Sequence, residues 1–278
     1  MPNFVTPDGS TIAYDVDGPE GAPPIVFLHG LTGARSTWHD IAADLSADHR
    51  TYVVDLRGHG GSTKGGPYDA EHYAGDVIAF LEGVVREPAT LVGHSLGGVV
   101  SAETIMRRPE LVARALLEDP PMFLAGNGGA EFETSPFAIV FPLMLVDIRE
   151  KQERDASLDD YIAGLAAMPA LSGAGTMADV LGPEGSAREA QAKRDFDTNA
   201  LQAAIDGGLG DHDPTRSMAV PVVVLRAELF AAFRPEDEPR LLETNPGAVV
   251  ELVPGTSHLI HDEQPAVLTK RLREFLSE

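Results

Sequence analysis

Four short strand-like runs, the first wholly apolar and the others mostly so, are interleaved with stretches of helical spacing and constrain this chain more than any other feature. The runs are Pro24 to Leu28, Thr51 to Leu56, Ala89 to Val92 and Ala113 to Leu117. A strand that is apolar throughout must be covered on both faces, which a parallel sheet with crossover helices achieves. Trp38, Ile41, Ala42 and Leu45 share a helical face, as do Val77, Ile78, Leu81 and Val84/Val85. Leu96 to Met106 reads as a helix, and Ile12 to Val16 as an early strand after the Asp8-Gly9 turn signal. Strands resume at Val220 to Leu225 and Val249 to Val253, with helices around Asp237 to Glu243 and from Pro265 to Leu276. The expected fold class is α/β, a mostly parallel, doubly wound sheet.

The rhythm breaks between Met122 and Pro214, where helical segments and Gly-rich breaks occur without a convincing strand. We read this segment as a helical cap inserted into the sheet. The core domain is then residues 1–121 and 215–278, and the cap 122–214. Gly126 to Gly129 and Gly207 to Gly210 look like its joints. Its Phe and Met side chains predict an apolar pocket beneath it. In open parallel sheets ligands sit at the carboxyl ends of strands, so the residues that follow each strand carry the chemistry.

With 43 acidic and 21 basic residues, the chain has a formal charge of −22. Such a surface disfavours nucleic acid and anionic membrane as partners. The absence of cysteine excludes thiolate catalysis, disulfides and zinc–thiolate sites. The apolar run from Phe137 to Val146 is interrupted by Pro142 and falls short of the roughly 20 residues a bilayer requires. Nothing at Met1-Pro2-Asn3 resembles a secretion signal. A cytoplasmic protein is therefore expected.

Gly93-His94-Ser95-Leu96-Gly97 follows one buried strand and opens a helix. This is the G-x-S-x-G nucleophile elbow. It needs small residues two positions either side of a serine held on a sharp turn. The helix behind it begins with free N–H groups that favour developing negative charge. Ser95 is the expected nucleophile, and His94, at the variable position, an expected packing residue.

With these landmarks in order, the chain resembles an α/β-hydrolase over nearly its whole length. The resemblance implies two oxyanion donors, the backbone N–H groups of Leu31, just after His29-Gly30, and of Leu96. It reads Asp55-Leu56-Arg57-Gly58-His59-Gly60-Gly61-Ser62 as an architectural loop. It also implies a catalytic histidine after the last strand, where Gly255-Thr256-Ser257-His258 stands. His258 would activate Ser95 as general base. His261 is expected to be partly exposed. A metal is not expected, because His258 and His261 lack a third ligand at convincing spacing.

The acid departs from the family's common pattern. Most members carry it shortly after the strand that follows the cap, where this chain has Phe230. Some, including haloalkane dehalogenases and zearalenone-type lactone hydrolases, carry it after the strand before the cap. Here that strand ends in Glu118-Asp119-Pro120-Pro121. Glu118 is the expected acid, followed by Asp119, Glu228 and Asp237 as further candidates. The resemblance then implies a serine hydrolase of a small, apolar ester or lactone, working without a cofactor. Trp38 and Phe123 are expected to touch the substrate, and no cationic anchor for it is evident. Different chemistry on this fold, or a ligand-binding protein that has lost catalysis, would also be compatible with the sequence.

Overall fold

The computed structural model describes residues 2–125, 131–207 and 209–278. Its centre is an eight-stranded sheet of order β1-β2-β4-β3-β5-β6-β7-β8. The strands are β1 (Asn3–Val5), β2 (Thr11–Asp17), β3 (Pro24–Leu28), β4 (Arg50–Val54), β5 (Ala89–His94), β6 (Val112–Glu118), β7 (Val222–Ala227) and β8 (Val249–Val253). β1, β2 and β4 pair antiparallel, and every pair from β4 across to β8 is parallel. The expected α/β class and parallel sheet are present. The short β1 adds an edge strand beyond those expected from the sequence.

Successive side chains of a strand leave on opposite faces, and the two faces here form two separate cores. Ile25 and Phe27 of β3 join Leu116 of β6 and Leu225 of β7 in one core. Val26 and Leu28, with Leu117 and Val224, enter the other. The first core is covered by α1 (His39–Leu45) and the closing helix α11 (Pro265–Ser277), which buries Leu268, Leu272 and Phe275 at helical spacing. The second is covered by α2 (Ala70–Phe80) and α3 (Leu96–Arg107). Arg57, in the loop after β4, ties that loop to α2 with two hydrogen bonds of 2.6 Å to the Asp76 carboxylate.

Between β6 and β7 the described chain is helical: α4 (Met122–Ala125), α5 (Phe137–Glu153), α6 (Leu158–Ala167), α7 (Met177–Arg194) and α8 (Thr198–Ile205). Ser157 and Thr176 each close a capping box at the start of α6 and α7. α7 bends at Gly182, whose φ of 65° leaves the helical region just before Pro183. The joint expected at Gly126 to Gly129 lies outside the described residues, as does the middle of the one at Gly207 to Gly210. After β7 come α9 (Asp237–Thr244) and, beyond β8, the short α10 (Ile260–Glu263). No helix among the described residues is long and apolar enough to cross a membrane.

Candidate active site

Ser95 sits one residue beyond β5 with φ 51° and ψ −115°, at the start of α3. A serine holds this left-handed backbone only when its surroundings impose it. The imposition comes from close packing of the turn. A Cβ on Gly93 would lie 2.3 Å from the Gly97 carbonyl oxygen, and one on Gly97 would lie 2.2 Å from that of Leu28. Both glycines are therefore required by the approach of helix to strand.

His258 lies in the loop after β8 and is buried, with Nδ1 2.7 Å from Asp119 Oδ2. The imidazole thus donates from Nδ1, which leaves Nε2 as its second nitrogen. Ser95 and His258 line the same cavity, of about 120 Å³. A smaller one, of about 50 Å³, also meets Ser95 and is walled by Leu31 and Leu96, the residues expected to supply oxyanion donors. The N–H of Leu96 lies in the first turn of α3, where a helix leaves its donors without an intrahelical acceptor.

The carboxylate on His258 belongs to Asp119 and not to Glu118, and this corrects the expectation. The reason is the parity of β6. Glu118 shares a face with Leu116, which points into the core of Trp38 and α11, away from the cavity. There Glu118 is fully buried, and its Oε1 accepts from the backbone N–H and Nδ1 of His261 at 2.9 and 2.8 Å. Asp119, one residue on, has φ 42° and turns its carboxylate towards His258. It also accepts from the backbone N–H groups of Ala232 (2.7 Å), Phe233 (3.2 Å) and Ala227 (3.3 Å). The loop after β7, which has Phe230 where the resemblance implies an acid, here supplies donors that hold one. Its Phe230 packs against Phe137 in the pocket wall. Glu228 and Asp237 are both committed elsewhere: Glu228 accepts from the N–H of Gly255, and Asp237 is engaged by Arg234 and Arg240.

His261 is buried, against the expected partial exposure. Burial alone would lower its pKa, but the Glu118 and Asp262 carboxylates outweigh this and hold it well above the ordinary value. His94 proves more than a packing residue. Its Nε2 lies 2.9 Å from the His258 carbonyl oxygen, and its ring lies 4.6 Å from both the His258 and His261 rings. Burial, and then the charges of the other two histidines, push its pKa well below the usual value. His94, Glu118 and His261 bring their ligand atoms within 4.8 Å of one another, a cluster that sequence spacing could not reveal. Both nitrogens of His261 and Nε2 of His94 are engaged in hydrogen bonds or ion pairs. Glu118 Oε2, in contrast, is buried with no hydrogen-bond partner among the described residues.

Two further expectations are corrected. Trp38 is fully buried between Phe27 and His261 in the core on the α11 side, and does not line the pocket. Phe123 is likewise buried, beneath the guanidinium of Arg240 at 4.0 Å. Both follow from parity and helix facing, which turn these large rings into core. The pocket wall instead includes Phe137, Phe141 and Met144 of α5, and it carries a cation, Lys193 of α7, where none was expected.

A model of the alpha/beta hydrolase family matches residues 25–271. The chain is 25% identical to 2-(acetamidomethylene)succinate hydrolase of Mesorhizobium japonicum, over 97% of this chain and 93% of that one. It is 24% identical to the sn-1-specific diacylglycerol lipase ABHD11 of Danio rerio, over 95% of this chain and 82% of the relative. The crystal structure of the enol-lactonase from Burkholderia xenovorans LB400 superposes with a TM-score of 0.75, covering 100% of both chains at 24% identity.

Proposed function

The chain belongs to the alpha/beta hydrolase family, and from that premise we propose that it cleaves a carboxylic ester or lactone through an acyl-enzyme on Ser95. The reading rests most on one relationship. Ser95 faces the cavity that His258 also lines, and Nδ1 of His258 is held by Asp119 at 2.7 Å. The relatives' range, which includes lactone- and diacylglycerol-cleaving proteins, is compatible with ester chemistry.

In the proposed cycle, Ser95 Oγ attacks the acyl carbonyl while Nε2 of His258 takes its proton. Asp119 keeps the imidazole in the tautomer that leaves Nε2 open, and stabilises the imidazolium that forms. The N–H groups of Leu31 and Leu96 would hold the oxyanion, each such donor being worth roughly 10²- to 10³-fold in rate. Imidazolium then protonates the leaving alcohol. Water, deprotonated by the same nitrogen, releases the acid and restores the serine. We further propose that residues 122–214 act as the cap over this site, since α5 and α7 furnish walls of the cavity.

A fluorophosphonate probe tests the reading together with nitrophenyl esters of graded chain length. Wild type should hydrolyse the esters and take up the probe on one peptide, the one containing Ser95, and Ser95→Ala should do neither. A folded wild type that neither hydrolyses any ester nor labels would rule the proposal out.

A further inference from the structure

The cavity shared by Ser95 and His258 is apolar over most of its wall; besides the catalytic candidates, His94 and two threonines (Thr32 and Thr37), its polar lining comes from α7. There it is lined by Glu189 and Lys193, one helical turn apart. Lys193 is 7% exposed, and its Nζ lies 2.8 Å from Glu189 Oε1. An ion pair facing a largely apolar space loses hydration, and its stabilising value is small unless further hydrogen bonds are made. The backbone beneath it is fixed. The side-chain amide of Gln152, on α5, donates to the carbonyl oxygens of Lys193 and Arg194 at 3.3 Å and of Phe196 at 2.8 Å.

An ammonium has three donors, and among the described residues Glu189 is its one carboxylate partner. Two donors are left unengaged by the described residues, on a side chain that lines the cavity. The charge of the pair decides what that is. At 2.8 Å the carboxylate cancels most of the field of the ammonium, so an incoming anion meets little net attraction and a close like charge. The chain's formal charge of −22 adds to that repulsion. A neutral oxygen meets no such opposition and can accept from the ammonium.

We propose that Lys193, paired with Glu189, is a polar subsite. It recognises a neutral carbonyl or hydroxyl oxygen on the substrate, at a distance from the carbonyl that Ser95 attacks. The inference rests on the ester or lactone reading of the same site and deepens it. The substrate class becomes an ester or lactone that carries a second, uncharged oxygen function on an otherwise apolar frame.

The test uses nitrophenyl esters in matched triplets: an alkanoate, the isosteric oxo-alkanoate with its ketone at carbon 4, 6 or 8, and the half-ester ending in a carboxylate. For at least one chain length, wild type should favour the oxo ester over the alkyl ester in kcat/KM by roughly 10- to 100-fold, the range of a hydrogen bond to a charged donor. That ratio should collapse towards one in Lys193→Met and return in Lys193→Arg. The ratio is internal to each protein, so partial loss of folded material does not blur it. Oxo and alkyl esters handled alike by wild type at every length would overturn the subsite. So would a preference for the half-ester, which would mean anion recognition. Binding of the methyl oxo and alkyl esters to Ser95→Ala, measured by calorimetry, needs no turnover. Tighter binding of the oxo ester there would support the subsite even if wild type hydrolysed nothing, and equal or weaker binding would overturn it while leaving ester hydrolysis standing.

Discussion

Asp119 Oδ2 and His258 Nδ1 lie 2.7 Å apart across 139 residues of sequence, and that hydrogen bond fixes which carboxylate can serve the imidazole. Replacing it tests the assignment. Asp119→Asn preserves the shape but no longer enforces the tautomer with Nε2 open. On the scale of other serine triads, kcat should fall by about 10⁴-fold with the fold retained by circular dichroism. Activity within tenfold of wild type would remove Asp119 from the proposed triad.

Glu118, one residue earlier, should behave oppositely. Its carboxylate is buried against His261, so Glu118→Gln leaves the buried cation with Asp262 as its remaining carboxylate partner among the described residues. Removing one partner of such a pair costs about 3–5 kcal/mol. Urea denaturation should show a loss of that order, while the folded fraction keeps activity within about tenfold. The pH dependence adds a second readout. The folded pKa of His261 is raised, so its contribution to stability is fully present below about 6.5 and is lost as pH rises through the higher folded value. Wild type should therefore lose stability on the alkaline side of neutrality, and Glu118→Gln, left with Asp262 alone, should show a smaller loss. A Glu118→Gln protein of normal stability but little activity would reverse the roles of the two acids.

How far the site was legible in the sequence follows from the same pair. The strand runs and the elbow announce themselves because burial on both faces demands continuous apolar residues, and because a strained turn demands glycine. Ser95 and His258 follow from chain order. The acid required the strand's parity as well, and parity was readable: Leu116 and Glu118 share a face, and that face belongs to Trp38 and α11. What could not be read was the φ of 42° at Asp119, which a non-glycine residue adopts only under tertiary constraint. Trp38 and Phe123 were misplaced for a related reason, since large rings near a site are more often its foundation than its lining. Lys193 carries no local signal. Its place in the pocket depends on how α7 packs across the carboxyl ends of the strands.

Phe141 lines both cavities that meet at Ser95, as Leu31 and Phe137 also do, and packs against Phe132 and Phe137 at centroid distances of 5.6 and 5.4 Å. Its removal should enlarge both cavities. Phe141→Ala is expected to move the preferred acyl chain to longer esters by about two or more methylenes, each adding ~0.8 kcal/mol when buried. Phe141→Trp should shorten it. The profile of kcat/KM against chain length reads this directly, and an unchanged optimum in both variants would mean that the acyl chain lies elsewhere.

Acid stability should report on a second buried network, remote from the chemistry. Glu103 of α3 is fully buried, accepts from His212 Nδ1 at 2.8 Å and from Arg107 Nε at 2.9 Å, and thereby links the sheet's central helix to the segment that precedes β7. Burial would raise its pKa, but the hydrogen bonds from His212 and Arg107 outweigh this and hold it at about 2. A depressed folded pKa stabilises above the unfolded value of about 4.3 and loses that contribution as pH falls through the folded one. The loss is on the order of 3 kcal/mol, since each unit between the two is worth about 1.36 kcal/mol. Unfolding free energies measured from pH 6 to pH 2 should therefore fall more steeply in wild type than in Glu103→Gln. Glu103→Gln should start lower at pH 6 and converge with wild type at the acid end. Parallel curves across the range would mean that the Glu103 carboxylate is not held ionised by its partners.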